Sequence, residues 1–298
     1  MTSTSIAGAV KSTSYLVFDI ESVPDPALVA SVRTQGEVEP ETALEEYRAE
    51  LIEQKGVDFI PYPFQVPVSI ALAKVDSDYR LQDLTVLKVE DGGPERICER
   101  FWNGWRYYGF PQFVSFNGRK FDIPLLEIMA FKYGIPLSDW FISQDVSHKS
   151  RRNRYSLSHL DLYEALTNYG ASGNFVGGLN LAAKLLRKPG KIDVKGDMVL
   201  EMFKEKRFED IHRYCRCDVL DTYFIFLRYL LLTGSISREQ EDALIKDVKV
   251  FLEQNTDEPG YREYLEEWKS REDYFSTHDY FSTFTTCKKQ RDRANVLR

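Results

Sequence analysis

Short apolar runs dominate the first half of the chain, and helical spacing of apolar positions dominates the second. Residues 13–25, TSYLVFDIESVPD, form an apolar, β-branched and aromatic run that stops at a proline turn, the pattern of a strand. QVPVSIALAKV (65–75) and LQDLTVLKVE (81–90) predict two more strands joined by the turn DSDYR, and QFVSFNG (112–118) a fourth. Between them lie ETALEEYRAELIEQK (41–55), rich in helix formers, and 92–109, where Ile97, Phe101 and Trp105 recur at helical spacing. A helix is expected over about 123–134. Beyond it the pattern predicts helices over 157–170, 178–188, 208–234, 237–254 and 261–271. The second half of 208–234 is apolar around much of its circumference and should be buried. Strands early and helices late predict an α+β or mixed α/β domain.

Bulk properties narrow the class. Of 298 residues, 43% are hydrophobic and 29% charged, enough apolar material for a sizeable core. No run of about 18 apolar residues exists, so no membrane span or membrane partner is expected. Residues 1–13 read as a loose tail with no signal-peptide pattern. The four cysteines, Cys98, Cys215, Cys217 and Cys287, form no paired framework, which predicts a reducing cytoplasmic setting. A net charge of −7 argues against a surface coated for unspecific nucleic-acid binding. It leaves room for carboxylates that hold cations and for a local basic patch such as HKSRRNR (148–154).

Three carboxylate-bearing segments carry the candidate chemistry. Asp19 and Glu21 stand at i and i+2 at a strand end, so they share a face. Such a pair repels itself unless a cation lies between, and hard oxygen donors suit Mg²⁺ or Mn²⁺. Asp122 follows the Asn117–Gly118 turn and reads as a helix N-cap, a position that also leaves its carboxylate at an element end. Tyr214 and Asp218, at i and i+4, share a helix face. Phosphodiester hydrolysis needs an activated water and a neutralised leaving oxygen, which two metal ions about 3.5–4 Å apart supply. Asp161 reads as a helix-start residue, with an outer role at the site as the alternative, and Cys215 and Cys217 as packed helical cysteines.

The order D-x-E, N-x-x-x-F-D, Y-x-x-x-D resembles the DEDD exonuclease superfamily in its tyrosine subclass. It looks most like stand-alone proteins related to the proofreading exonuclease domain of family B DNA polymerases. FDIESVPD (18–25), SFNGRKFDIPLL (115–126), HLDLYEAL (159–166), the Gly-Lys of KPGKID and YCRCDVLDTYFIFLR (214–228) carry the resemblance, over roughly residues 14–232. The histidine subclass would place its histidine at Arg213; His212 is out of register and Tyr214 in register. The resemblance implies a ribonuclease H-like mixed β-sheet flanked by helices over 14–234, with a helical C-terminal extension over 235–298. It implies two divalent metal ions, Mg²⁺ or Mn²⁺, held by Asp19, Glu21, Asp122 and Asp218, with Tyr214 orienting the water. Asn117 and Phe121 would face the substrate, with Arg119, Lys120 and Lys191 as further substrate contacts. The expected partner is single-stranded nucleic acid with a free 3′ end, DNA first and RNA second. Two other classes stay open: a non-catalytic nucleic-acid-binding or scaffold protein on the same fold, and a metal-dependent nucleotide phosphatase. The stretch 25–60, the extension after 235 and the repeated DYFST at 273–277 and 279–283 have no assigned role.

Overall fold

Strand β1 (Tyr15–Pro24) organises the molecule, because it is the strand with neighbours of both directions. In the computed structural model, which describes residues 12–142, 150–172, 175–190 and 198–277, β1 pairs antiparallel with β2 (Gln65–Val75) and parallel with β4 (Gln112–Ser115). β3 (Leu81–Lys88) adds to β2, and β5 (His159–Asp161) to β4, giving the mixed five-stranded order β3-β2-β1-β4-β5. Helices cover both faces, giving the expected mixed β-sheet flanked by helices.

Alternation along β1 sends its side chains to two cores. Leu16, Phe18 and Ile20 join Ile70, Leu72 and Phe113 beneath α3 (Gly93–Tyr107) and α4 (Asp122–Tyr133). Val17 joins Ala71, Ala73 and Val114 beneath α9 (Phe208–Leu232). Because β2 is buried on both faces, it carries a nearly continuous apolar run. Burial of α9 begins at Ile211, so both halves of this helix are enclosed, more than the apolar second half alone predicts.

The C-terminal extension is continuous with this core. Leu244, Val248 and Leu252 of α10 (Arg238–Gln254) and Tyr261, Tyr264 and Trp268 of α11 (Tyr261–Thr277) lie in the same cluster as Val17 and Phe224. By contrast, α1 (Pro26–Thr34) and α2 (Pro40–Lys55) close a small core of their own around Val29, Leu44 and Ile60.

Three elements depart from the sequence expectation. The segment 157–170 is strand β5 followed by α6 (Leu162–Leu166), because Asp161 sits extended at φ −93, ψ 110 and caps the helix from there. Helix α1 lies outside the expected elements, although Asp25 as cap and Pro26 at its first position are ordinary start signals. Helix α8 (Val199–Lys204) is too short to show a period. Two short helices, α5 (Ser138–Phe141) and α7 (Gly178–Leu185), complete the set among the described residues. Among the described residues no helix is long and apolar enough to cross a membrane.

Candidate active site

β4 ends at Ser115, and its register pairs Val114 with Val17. β1 runs on to Pro24, so from Asp19 onward it has no parallel neighbour and its side chains border a crevice at the carboxyl ends of β1 and β4. Asp19 and Glu21 share the face of Val17 and look toward α9, where ligand atoms of Asp19, Glu21 and Cys215 all lie within 4.8 Å of one another. The Cys215 Sγ–H donates to the Asp19 carbonyl at 3.3 Å. Burial first, then the charges of Asp19 and Glu21, push this thiol well above its usual range, so in the metal-free protein it is a neutral packing group.

One helix brings the tyrosine. Tyr214 and Asp218 stand one turn apart on α9, and the Tyr214 hydroxyl donates to the Asp218 carboxylate. Burial raises the phenol far above its usual range, and the carboxylates of Asp218, Glu21 and Asp19 add to the effect in that order. In the metal-free protein the hydroxyl is therefore a proton donor. His212 fixes the register of α9 against the sheet: its Nδ1 lies 2.9 Å from Ser69 Oγ and its Nε2 3.1 Å from Glu90. Ser69 is the cross-strand partner of Glu21, so the imidazole ties the tyrosine-bearing helix to the strand position opposite a site carboxylate.

Asp122 arrives on the loop after β4. It is the first residue of α4, with Phe121 at the cap position and no side-chain cap, so the N-cap reading of Asp122 is corrected. Its carboxylate is 5% exposed. Burial raises it to about 7, and the nearby Asp161 charge adds to this, while the N–H groups of Asp122 itself and of Ile20 pull it down. The Ile20 link places Asp122 beside the β1 backbone between Asp19 and Glu21. Asn117 turns the loop at φ +66, and Gly118 lets it fold back tightly. A Cβ on Gly118 would stand 2.4 Å from Ser115 Oγ and 3.0 Å from Asp122 Oδ2.

Asp161 holds that loop in place. Its carboxylate accepts the N–H groups of Asn117 (2.9 Å), Arg119 (2.9 Å), Tyr163 (3.0 Å) and Glu164 (3.3 Å). It is therefore the cap of α6, as its sequence position suggests, and also the clamp that shapes the turn leading to Asp122. Burial raises its pKa against the pull of those N–H groups.

The remaining expected residues divide. Phe121 is half-buried, and its ring lies 5.5 Å from that of Phe59, which is 58% exposed. Arg119 reaches toward β5, pairing with Glu164 at 3.0 Å and donating to the His159 carbonyl at 2.8 Å. Lys120 is exposed on the loop. In the 148–154 segment, Arg152 pairs with Glu127 at 2.8 Å and Arg154 with Glu164 at 3.1 Å. Lys191, His148 and Lys149 lie outside the described residues, as does the second DYFST copy.

Comparison with known proteins bears on this arrangement. The profile of a family described as predicted 3′-5′ exonucleases related to the exonuclease domain of PolB matches residues 57–268. The chain belongs to this family. Asp122, Tyr214, Asp218 and the whole of α10 lie within the matched part of this family member, whereas Asp19 and Glu21 precede it. Comparison with curated proteins finds no match. Among solved structures the chain is similar to a family B DNA polymerase from the hyperthermophilic archaeon Pyrobaculum calidifontis, at 18% identity and a TM-score of 0.46. That likeness covers 73% of this chain and 24% of the polymerase chain.

Sequence reasoning on this exonuclease-family chain missed the clamp role of Asp161, the pinning of α9 by His212 and the aromatic neighbour Phe59. The first had a signal, since an Asp before an apolar helical run marks a cap. The other two join positions 143 residues apart (Ser69 and His212) and, for Phe59 and Phe121, positions on opposite sides of the sheet sequence, so no local pattern announces them.

Proposed function

We propose that the chain is a metal-dependent 3′→5′ exonuclease acting on single-stranded nucleic acid, DNA in the first instance. The observation that carries this reading is the convergence of carboxylates from β1 and α9 around one phenol, Tyr214, with the buried Asp122 of α4 beside the β1 backbone at Ile20. Hard oxygen donors crowded at this density suit divalent cations such as Mg²⁺ or Mn²⁺, since like charges so close are otherwise costly. Asp19 would hold both ions, Glu21 and Asp218 the one that activates water, and Asp122 the second. Bound there, such ions lower the pKa of a water and neutralise charge on the leaving oxygen.

The chain's own groups do the rest. Tyr214, kept protonated by burial and its acidic neighbours, orients the attacking water by hydrogen bonding and does not act as a base. The clamped loop 117–121 holds Asp122, and Asn117 at its turn would contact the substrate. Phe121 and the exposed edge of Phe59 offer aromatic surface to the terminal bases.

The test uses 5′-labelled single-stranded DNA and RNA with Mg²⁺ or Mn²⁺, beside Asp19→Ala. A ladder growing from the 3′ end that disappears in the variant supports the proposal. A folded protein that yields no ladder on either polymer with either ion refutes it.

A further inference from the structure

On the outer side of the Asp122 loop, at the β5 edge of the sheet, lies a second cavity of about 400 Å³. Its lining includes Arg119, Arg154, Tyr155, His159, Glu164 and Tyr169. The volume falls in the range of small-molecule sites. Three features of its chemistry go beyond a surface dent.

The first is aromatic. Tyr155 and Tyr169 are 70% and 62% exposed, an unusual state for two large rings around one cavity. The Arg154 guanidinium is near both, 5.9 Å from the Tyr155 ring and 5.2 Å from the Tyr169 ring. The second is charge. Arg119 and Arg154 share one carboxylate, Glu164, at 3.0 and 3.1 Å, so two cations face one side-chain anion. Asp161 also lines the cavity, but its oxygens already accept four backbone N–H groups. The third is an orphan. His159 is 4% exposed, its Nε2 is 2.8 Å from Ser115 Oγ, and its Nδ1 has no partner. A buried ring nitrogen without a partner is costly, and a ligand reaches it by shifting the side chains that cover it. Burial and the Arg119 charge hold this ring neutral, with a pKa near 3.

Stacking rings, guanidinium groups and a neutral imidazole are the equipment for a base, a phosphate and a base edge. We propose that this cavity is a second nucleotide site. One base stacks on Tyr155 and Tyr169, its phosphate takes Arg154 and Arg119, and a polar edge approaches His159. The identity of the ligand rests on the exonuclease reading, because the nucleotide is either a unit of the bound strand or the released mononucleotide. Asp161 connects the cavity with the active site: the residue that lines the cavity also clamps the loop that carries Asp122.

The experiment uses the full chain carrying Asp19→Ala, in EDTA, so that no substrate is consumed. The probes are 2-aminopurine deoxynucleoside monophosphate and single-stranded DNA with one 2-aminopurine several positions from its 3′ end. Stacking quenches the fluorophore. Saturable quenching is expected, weakened at least about fivefold by Tyr155→Ala or Tyr169→Ala and also reduced by Arg154→Met. Quenching of the mononucleotide identifies a product site, and quenching confined to the oligonucleotide identifies a path for the strand. Quenching that is absent for both probes, or indifferent to all three substitutions, overturns the proposal. So does inorganic phosphate that competes as well as the nucleotide, which would mark a plain anion site. The two readings separate cleanly in the parent protein with metal. Quenching without 3′ laddering sinks the exonuclease and keeps the pocket, whereas laddering with tyrosine-independent fluorescence sinks the pocket alone.

Discussion

Replacing Asp161 by Ala tests whether one carboxylate outside the catalytic set shapes the active site. It removes the acceptor for four backbone N–H groups, two on the Asn117–Arg119 turn and two at the start of α6. Each turn donor left without an acceptor in this part-buried setting costs about 1–3 kcal/mol. Loss of the α6 cap adds about 1 kcal/mol. Against this stands a relief, since burial and the neighbouring Glu164 charge disfavour the Asp161 charge in the first place. The net expectation is a destabilisation of roughly 3 kcal/mol, a large share of a typical domain's total. Asp161→Asn gives a finer reading. Its amide oxygen keeps the Oδ1 position that serves Asn117, Tyr163 and Glu164, but its NH₂ opposes the Arg119 N–H that Oδ2 now accepts. One lost bond, with a charge removed, leaves about 1 kcal/mol. Urea unfolding midpoints at constant m measure both variants. The reasoning fails if Asp161→Ala lies within about 1 kcal/mol of the parent, or if the Asn variant is as damaged as the Ala variant.

Three other outcomes are expected. Tyr214→Phe removes the hydroxyl that donates to Asp218 and should slow hydrolysis about 10²–10³-fold with Mn²⁺ binding retained by electron paramagnetic resonance; an unchanged rate shows the water-orienting role to be misassigned. Asp122, raised to about 7 in the fold, binds its proton more tightly folded than unfolded, so the metal-free protein gains stability from it as pH falls from about 7 to about 4 and loses that stability as pH rises. Asp122→Asn should flatten this dependence in urea midpoints taken at about pH 5 and pH 8 in EDTA, and parallel curves for parent and variant contradict the assignment. Ending the chain at residue 235 strips Tyr264 and Trp268 from the main core and uncovers the Lys188 amine, which sits 3.6 Å above the Trp268 ring. Loss of Trp268 alone is worth about 3–5 kcal/mol, so circular dichroism should report an unfolded or aggregated product; a cooperative native-like melt of the truncated chain would refute the shared core.

How far the site could be read beforehand depended on the kind of geometry each residue needs. Asp19 with Glu21, and Tyr214 with Asp218, are pairs whose common face follows from the two-residue period of a strand and the turn of a helix. Local spacing alone was enough to align them. Asp122 was found for the right segment and the wrong local reason, because its cap function belongs to a backbone conformation that Phe121 adopts without a side-chain bond. The 157–170 stretch misled in the other direction. Its apolar spacing suits a helix, but three residues of it complete the sheet by pairing with β4. That pairing is decided 44 residues away, at Ser115 and Asn117, where His159 and Asp161 find their partners. In the stretch 25–60 the sequence predicts a single helix, 41–55, because the small core there forms between two helices whose apolar stripes are each short.

The union of β1 with α9 also has a consequence in time. Cys215 and Asp19, which touch across the site, are separated by 196 residues of chain. At translation speeds of about 5–20 residues per second, the carboxylates of β1 emerge roughly 10–40 s before the helix that must complete them. The helices that seal α9 into its place follow later still. Until α9 has emerged, Asp19 and Glu21 stand without the helix that faces them, so this face of β1 acquires its neighbours only after most of the sheet has been made.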